Sequence, residues 1–197
     1  MDCQDKACEL AKLRGECLAC RKCQIGGVQV DGKFLSNVFS NMNASAEIMV
    51  VGQNPGRDEV EQGQPFVGRA GKIFDEAVLE VLGFDRSKLY ISNTVRCYTP
   101  ANRKPFDSER ENCCEFLDKE VALIQPKVLV ALGGLALKQL TGMSGMMKNH
   151  GQIIMSARYR VPVIPILHPS PLNLSNPVRR REFFSDLWKL KEVLDAR

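Results

Sequence analysis

The chain has 197 residues, 44% of them hydrophobic, which suits one domain whose core needs no disulfide support. Its net charge of +4 permits a phosphate-rich partner without requiring one. No apolar run approaches the roughly 20 residues that span a bilayer, and the polar N-terminus has no signal-peptide pattern. A membrane partner is therefore excluded, and a soluble cytoplasmic protein is expected.

The predicted elements begin with a short amphipathic helix over residues 2–14, a cysteine-rich segment and a loop from Gly32 to Ser45. From Ala46 onward strands and helices alternate. The predicted strands are 46–52, 89–92, 127–132, 153–155 and 161–167, and the predicted helices are 69–82, 107–124, 134–140 and 177–194.

This alternation predicts an α/β fold with three α/β/α layers and a central, mostly parallel four-stranded sheet. There is no internal repeat and no long linker. Residues 1–197 are therefore expected to form one domain, with 1–16 as an N-terminal extension and 17–27 as a cysteine knuckle.

The loop Gly52-Gln53-Asn54-Pro55-Gly56 and the segment 65–71 follow the first long predicted strand. The loop glycines Gly52 and Gly56 allow the backbone to turn sharply and to approach a ligand. The amides of Gln53 and Asn54 suit a neutral partner such as a base edge, and Phe66 offers a flat face for stacking. Alone, the pattern fits a generic turn with a packed phenylalanine equally well. It is neither a dinucleotide fingerprint nor a Walker loop.

Polar residues follow two further strands. Asn93 follows one of them directly, and His168 follows the other. Because the carboxyl ends of parallel strands converge on one rim, these residues and Gln53-Asn54 are expected to share a site. A lone asparagine is usually a turn residue, and a lone histidine is usually structural. The three positions together favour a ligand site.

In a reducing compartment the eight cysteines are not expected to form a disulfide framework. Cys20 and Cys23 form a C-x2-C knuckle, while Cys97 and Cys113 are isolated. Four thiolates suit zinc or an iron–sulfur cluster, although zinc ribbons usually carry two such knuckles. Two alternatives stay open, since Cys17 extends the knuckle and Cys114 adjoins Cys113. Free thiols fit three positions, Cys3, Cys8 and Cys114.

Four motifs carry a family resemblance. GQNPGRDEVEQGQPFVGRAG, SNTVRCYTPANRKP, CCEFL and HPSP occur in this order, and the similarity extends from about Cys20 to Asp195. Together they resemble the iron–sulfur (family-4) uracil-DNA glycosylases.

The resemblance implies roles for individual residues. Phe66 would stack on a flipped base, and Asn93 would hydrogen-bond the pyrimidine edge beside Gln53. His168 would stabilise charge on the departing base, and Glu59 would shape or polarise the site. The cofactor implied is a 4Fe–4S cluster bound by Cys20, Cys23, Cys97 and Cys113.

The chain departs from the family at Gln53-Asn54, where Glu-Ala is usual. Asn54 is our candidate for holding the attacking water. An amide orients water without removing its proton, which is adequate if the glycosidic bond breaks first. The departure leaves open bases other than uracil.

The expected DNA contacts follow the histidine motif. Leu172 and Asn173 belong to a loop predicted to enter the minor groove and fill the gap left by the flipped base. Arg179 and Arg180 begin the last helix and are expected to contact phosphate, because a helix N-terminus attracts anions. The alternative is that they form a solvated helix face. The remaining candidates for backbone contacts are Arg96, Arg103, Lys104 and Arg181.

The sequence thus predicts a monomeric DNA-repair glycosylase that removes uracil from single- or double-stranded DNA in a prokaryotic cell, near the nucleoid. One alternative is a broader enzyme acting on hypoxanthine or xanthine. Another is a non-catalytic DNA-binding iron–sulfur module. A third, a protein that traps abasic DNA covalently, would need a basic, histidine-bearing insertion after Asn93, which this chain lacks.

Overall fold

The structure is a computed structural model that describes residues 5–26, 29–30, 33–34 and 37–196. The strands are β1 (Gln29–Val30), β2 (Lys33–Phe34), β3 (Ile48–Gly52), β4 (Leu89–Asn93), β5 (Val128–Leu132), β6 (Ile154–Met155) and β7 (Pro162–Ile166). The helices are α1 (Lys6–Ala19), α2 (Arg57–Gln62), α3 (Arg69–Leu82), α4 (Asp107–Ile124), α5 (Gly134–Thr141), α6 (Met146–Asn149), α7 (Pro171–Leu174) and α8 (Pro177–Asp195). In this described part, no helix combines the length and apolar character needed to cross a membrane.

The central sheet has the strand order β4-β3-β5-β7-β6. The first four strands are parallel, and β6 pairs antiparallel with β7 at one edge. The predicted α/β fold with a mostly parallel sheet is therefore confirmed, but the sheet has five strands rather than four. The strand predicted at 153–155 is β6, which is two residues long, and its pairing with β7 makes it the fifth strand of the sheet.

Alternate residues of the strands face opposite helical layers, as the period of two in a strand requires. Met49 and Val51 belong to the core shared with α1, α4 and α5, whereas Ile48 and Val50 belong to the core shared with α3 and α8. Because both faces are covered, the central strands are apolar along their whole length. This is the expected three-layer arrangement.

The N-terminal region differs from the prediction. α1 extends to Ala19 instead of ending near residue 14, because Leu13 and Cys17 continue its buried face. Cys17 thus lies in a helix and not in a free knuckle. The loop expected from Gly32 contains β2, which pairs with β1. Cys8 is disulfide-bonded, so the expectation of a free thiol there is wrong. Cys3 lies outside the described residues.

Asn41 covers the outer edge of β4. Its side-chain amide donates to the carbonyl of Leu89 at 2.8 Å, and its side-chain oxygen accepts the N–H of Ile91 at 2.8 Å. The backbone N–H of Asn41 also donates to the carbonyl of Ile91 at 3.2 Å. The edge strand is therefore hydrogen-bonded on both sides along this stretch.

Candidate active site and cysteine centre

The polar residues that follow three strands lie on one rim of the sheet. Gly52 at the end of β3 pairs with Asn93 at the end of β4. Leu132 at the end of β5 pairs with Ile166, two residues before His168. Asn93, Leu132 and His168 line a cleft of about 560 Å³, a usual size for a small-molecule pocket. Its walls include Gln53, Asn54, Glu59, Phe66, Asn93, Gly133 and His168.

Phe66 has a left-handed backbone with φ of 54°, which is unusual for a bulky residue. Gly71 packs so closely that a Cβ there would lie 2.0 Å from the Phe66 carbonyl oxygen. Arg86 donates to the carbonyls of Phe66 at 2.8 Å and Pro65 at 2.7 Å, and it pairs with Asp75. Nothing in the sequence pointed to Arg86, because it lies 20 residues from Phe66 and outside every motif.

The ring of Phe66 lies against the end of β3. A Cβ on Gly52 would lie 2.5 Å from ring carbon Cε2 of Phe66 and 2.6 Å from Oδ1 of Asn93. Real Cβ atoms essentially never approach other atoms so closely, so only glycine fits here. The ring centroids of Phe66 and His168 are 6.5 Å apart. The residues expected to contact a base are thus neighbours in space.

The side chain of Asn93 is buried, with only 1% of the residue exposed. Neither its amide nitrogen nor its oxygen has a hydrogen-bond partner within the described part of the chain. A buried polar group left unpaired costs about 1–3 kcal/mol. Asn93 also lines the cleft. The site therefore offers one unused donor and one unused acceptor to a ligand.

Glu59 connects the two loops that form one wall of the cleft. Its carboxylate accepts the backbone N–H of Gly56 at 2.9 Å, of Val67 at 3.0 Å and of Gly68 at 2.8 Å. Because both oxygens are engaged with backbone amides, this geometry suits a residue that holds the loops in position.

The amides of Gln53 and Asn54 are also held in place. Gln53 donates to Oδ1 of Asn54 at 3.0 Å, and Asn54 donates to the carbonyl of Pro55 at 3.0 Å and to the hydroxyl of Thr99 at 3.4 Å. Only one of the two lone pairs of the Asn54 oxygen is used by Gln53. The oxygen thus retains an acceptor site at the cleft.

His168 lies where the chain leaves β7. Burial lowers the pKa of His168 below its ordinary value of 6.5, and the nearby Glu59 carboxylate opposes this effect only in part. The imidazole is therefore neutral at physiological pH. A Cβ on Gly133 would lie 3.5 Å from the Cβ of His168, an ordinary contact distance, so it is the positive φ of 89° that favours glycine here.

The segment expected to grip DNA is exposed next to the cleft. Leu172 is 84% exposed on α7, which is a single helical turn and not the predicted loop. Asn173 donates to the carbonyl of His168 at 3.2 Å and accepts a bond from Arg179 at 3.3 Å. Arg179 and Arg180 are exposed on the first turn of α8. Asn176 caps this helix by accepting the N–H groups of residues 178 and 179.

Two arginines proposed as DNA contacts behave differently. Arg103 is bound to both oxygens of Glu109 and stacks over Phe106 at 3.8 Å, on the surface beside the cleft. Arg96 is only 1% exposed, so the prediction that it contacts the DNA backbone is wrong. Its charge is balanced inside the protein by Glu120. Sequence alone could not separate them, because both arginines belong to the same motif.

One small enclosed cavity, away from the cleft, is lined by all four predicted cysteine ligands. They are Cys20, Cys23, Cys97 and Cys113. Cys17 is buried in the core on another part of α1, and Cys114 is near Arg158 instead. Neither of these alternatives lines the cavity. Its other walls are largely apolar and include Ile25, Val95 and Phe116.

Neighbouring groups already bind the sulfur atoms. The N–H of Arg96 donates to Sγ of Cys113 at 3.3 Å, the amide of Asn112 donates to Sγ of Cys23 at 3.5 Å, and Cys97 donates to Asn37 at 3.2 Å. Burial raises the pKa of Cys113 to about 11 and also raises the pKa of Cys97 and Cys23. At these three cysteines burial therefore favours the protonated thiol over the thiolate, and a bound cation would reverse that preference.

No group of three or more His, Cys, Asp or Glu side chains in the described ranges is arranged to hold a metal ion. Four thiolates around one zinc ion, each about 2.3 Å from it, would have to lie close together. A cubane cluster spreads its four cysteine ligands over several iron atoms and so keeps them farther apart. Four thiols around one largely apolar cavity are a donor set that suits either kind of group.

A comparison of the chain with known protein families identifies the class of protein to which this fold and cleft belong. Residues 39–190 match the family model described as "Uracil DNA glycosylase superfamily". This chain therefore belongs to the uracil-DNA glycosylase superfamily.

Curated relatives identify a group within this superfamily. Several are named "Type-4 uracil-DNA glycosylase", including the following three. The protein of Sulfurisphaera tokodaii is 31% identical over 93% of this chain and 84% of its own length. That of Archaeoglobus fulgidus is 35% identical over 90% and 89%. That of Thermotoga maritima is 39% identical over 80% and 82%. Within the superfamily the chain thus belongs to the type-4 group, and the resemblance found in its motifs is confirmed.

Proposed function

We propose that this protein is a uracil-DNA glycosylase of DNA repair. It hydrolyses the N-glycosidic bond of uracil in single- or double-stranded DNA and leaves an abasic site. Membership of the type-4 group supports this function. The observation that carries it in the structure is the buried, unpaired amide of Asn93 in a cleft beside Phe66.

Base recognition uses the two free atoms of Asn93. Uracil presents a ring N–H next to a carbonyl, so the amide oxygen can accept from the ring and the amide nitrogen can donate to the carbonyl. Flipping a base out of a duplex costs roughly a few kcal/mol, and stacking on an aromatic ring returns about 1–3 kcal/mol. We assign the stacking to Phe66. Gln53 borders the same cleft and adds a further amide.

Hydrolysis then needs a water and a stabilised leaving group. We assign the water to the free lone pair of Asn54, which orients it without taking its proton. That suffices when the glycosidic bond breaks first and leaves a cation-like sugar. We assign the leaving group to neutral His168, whose N–H can donate to a carbonyl oxygen of the departing base in a partly dry cleft. Glu59 acts as a positioning residue for the two loops.

DNA is the partner of the surface around the cleft. We propose that exposed Leu172 enters the minor groove and fills the gap left by uracil. Asn173 fixes the position of that helical turn, and Arg179 and Arg180 contact phosphates near it. The protein is expected to act as a monomer in the cytoplasm of a prokaryotic cell, at the nucleoid where its substrate lies.

We further propose that Cys20, Cys23, Cys97 and Cys113 bind a 4Fe–4S cluster. When bound, such a cluster supplies a covalent cross-link and a redox-active centre. The ligands come from the segment after α1, the segment after β4 and helix α4, so binding ties three parts of the fold together. Elemental analysis of purified, brown protein is expected to show iron. A colourless protein that contains zinc would contradict this assignment.

Oligonucleotides that carry a single modified base test the function. Purified protein is incubated with strands containing uracil, hypoxanthine, xanthine or a thymine mismatch, and abasic sites are detected by alkaline cleavage. We expect cleavage at uracil in single and double strands, without added metal. Comparable release of hypoxanthine or xanthine would favour the broader enzyme that Gln53-Asn54 leaves open. Folded protein that releases no base would instead be a non-catalytic DNA-binding module.

A further inference from the structure

Arg96 is a buried cation with only part of its hydrogen-bonding capacity used. Its Nη2 donates to Glu120, whereas Nε and Nη1 have no partner in the part of the chain that the structure describes. A buried polar group is costly when unpaired, and a buried charge still more so. Glu120 satisfies the charge but not these two donors. The fold therefore keeps two guanidinium nitrogens available as donors in its interior.

Arg96 itself lies beside the cysteine centre. Arg96 lines the same cavity as the four cysteines, and its backbone N–H already donates to Sγ of Cys113 at 3.3 Å. Glu120 does not line the cavity. The positive partner of the pair is thus nearer to the cysteines than the negative partner.

The other side of the pair reaches the strand that carries the base-binding residue. Glu120 accepts the hydroxyl of Tyr90 at 3.0 Å and that of Ser92 at 2.9 Å. Tyr90 and Ser92 belong to β4, and Asn93 follows directly. A continuous set of buried contacts therefore connects the cysteine cavity to the end of β4.

We propose that Arg96 is the positioning residue for the cluster. Its two unpaired guanidinium nitrogens donate to the sulfur atoms of the cysteine-bound group, and its charge offsets the negative charge of the thiolates. Through Glu120 it also ties this centre to β4. The inference rests on the proposed cluster, and it adds a cation and two donors to the four cysteine ligands.

A cation and hydrogen bonds near the sulfur atoms favour the reduced, more negative form of a cluster, so both raise its reduction potential. Loss of Arg96 is expected to lower that potential and to speed the loss of iron. Neutralising Glu120 at the same time has the opposite electrostatic effect, but from a greater distance. The arginine should therefore dominate.

The test uses the full-length holoprotein and the double variant Arg96→Gln/Glu120→Gln. Changing both residues avoids an unpaired buried carboxylate, which would threaten folding. Arg158→Gln is the matched control, because Arg158 pairs with Asp118 on the surface and does not line the cavity. The readouts are circular dichroism, iron per protein, the reduction potential by film voltammetry, and the rate at which a chelator removes the visible absorbance.

We expect a more negative potential and faster iron loss in the double variant, and wild-type values in Arg158→Gln. If the double variant does not fold, Arg96→Lys decides, because lysine keeps the charge but supplies fewer donors, and a smaller negative shift is expected. Suppose that the wild-type protein contains iron and that the folded variant has the same reduction potential and the same rate of iron loss. That result would overturn the role of Arg96 but not the cluster proposal. Wild-type protein without iron would overturn the cluster proposal itself.

Discussion

Gly52 lies directly against the ring of Phe66, with no space for a side chain between the end of β3 and the aromatic carbons. An added Cβ would lie 2.5 Å from the ring. Gly52→Ala should therefore displace Phe66 and lower the single-turnover rate of uracil release by about 10²-fold, the usual effect of a misplacement of about 1 Å.

Gly15→Ala is the control for this change, since a Cβ there meets nothing within 4 Å. It lies inside α1, where alanine is favoured over glycine by about 1 kcal/mol. Its rate should equal that of the wild type, and its melting temperature should be equal or higher. A wild-type rate in Gly52→Ala would show that the ring does not bind the base.

Asn93→Ala should separate stability from activity. The unpaired amide contributes nothing to the free protein and costs about 1–3 kcal/mol. Its removal should leave the free energy of unfolding unchanged or raised, while uracil release falls by about 10²–10³-fold, as for one lost electrostatic contact. Denaturant unfolding and single-turnover kinetics measure the two quantities.

Asn41→Ala is the matched control, because Asn41 binds the same strand with both its amide atoms satisfied. It should lower the free energy of unfolding and retain the rate of the chemical step. The opposite pattern, with Asn93→Ala less stable and fully active, would exclude Asn93 from base recognition.

The pH dependence of the chemical step reports the state of His168. Since burial lowers its pKa below 6.5, the neutral imidazole is the form present above that value. The wild-type rate should stay level as the pH rises from about 6.5 to 8, and His168→Ala should lower it by about 10²–10³-fold throughout. A rate that falls about tenfold per pH unit above 6.5 would mean that the imidazolium is required.

The lowered pKa of His168 also makes stability depend on pH. In the unfolded chain the imidazole binds a proton near pH 6.5, whereas in the fold it does so only at lower pH. The unfolded state therefore binds more protons in that window, and stability falls as the pH decreases below 6.5. His168→Ala should weaken this dependence in denaturant unfolding measured across the window.

Substitutions of single cysteines test which of them are ligands. Cys97→Ser should lose the iron and the brown colour, because Cys97 lines the cavity. Cys114→Ser should keep both, and so should Cys17→Ala, although burial of Cys17 in the core predicts a lower melting temperature. Iron retained in Cys97→Ser and lost in Cys17→Ala would transfer the ligand role to Cys17.

Leu172→Ala should discriminate between forms of DNA. A side chain that is 84% exposed contributes little to folding, so the melting temperature should not change. Release of uracil from a duplex should decline more than release from a single strand, where no gap has to be filled. Leu79→Ala, at another exposed leucine on α3, is the control. Equal losses on both forms would argue against a wedge.

The sequence predicted the long elements well because their apolar periodicity is strong. Helices 69–82 and 107–124 match α3 and α4 at both ends. The other elements predicted from residue 46 onward agree with the structure to within two residues at each end. The length of α1 and the number of strands in the sheet were predicted less well, because packing decides them. The buried face of Leu13 and Cys17 lengthens α1, and pairing with β7 adds the short strand β6 to the sheet.

The motifs located the residues of the cleft but not the contacts that support them. Arg86 and Asn41 act from outside every motif, through hydrogen bonds between distant parts of the chain. Arg96 lies in a motif that contains other basic residues, so its burial could be recognised only from the fold. These are long-range contacts, which short-range sequence patterns do not encode.

The cover that Asn41 provides also protects the protein from self-association. β4 is the outermost strand of the parallel side of the sheet, and such an edge is a template on which a second chain can add a strand. The bonds from Asn41 to Leu89 and Ile91 occupy that template. When the segment around Asn41 detaches on heating, we expect the strand that carries Asn93 to become the first place where molecules join into aggregates.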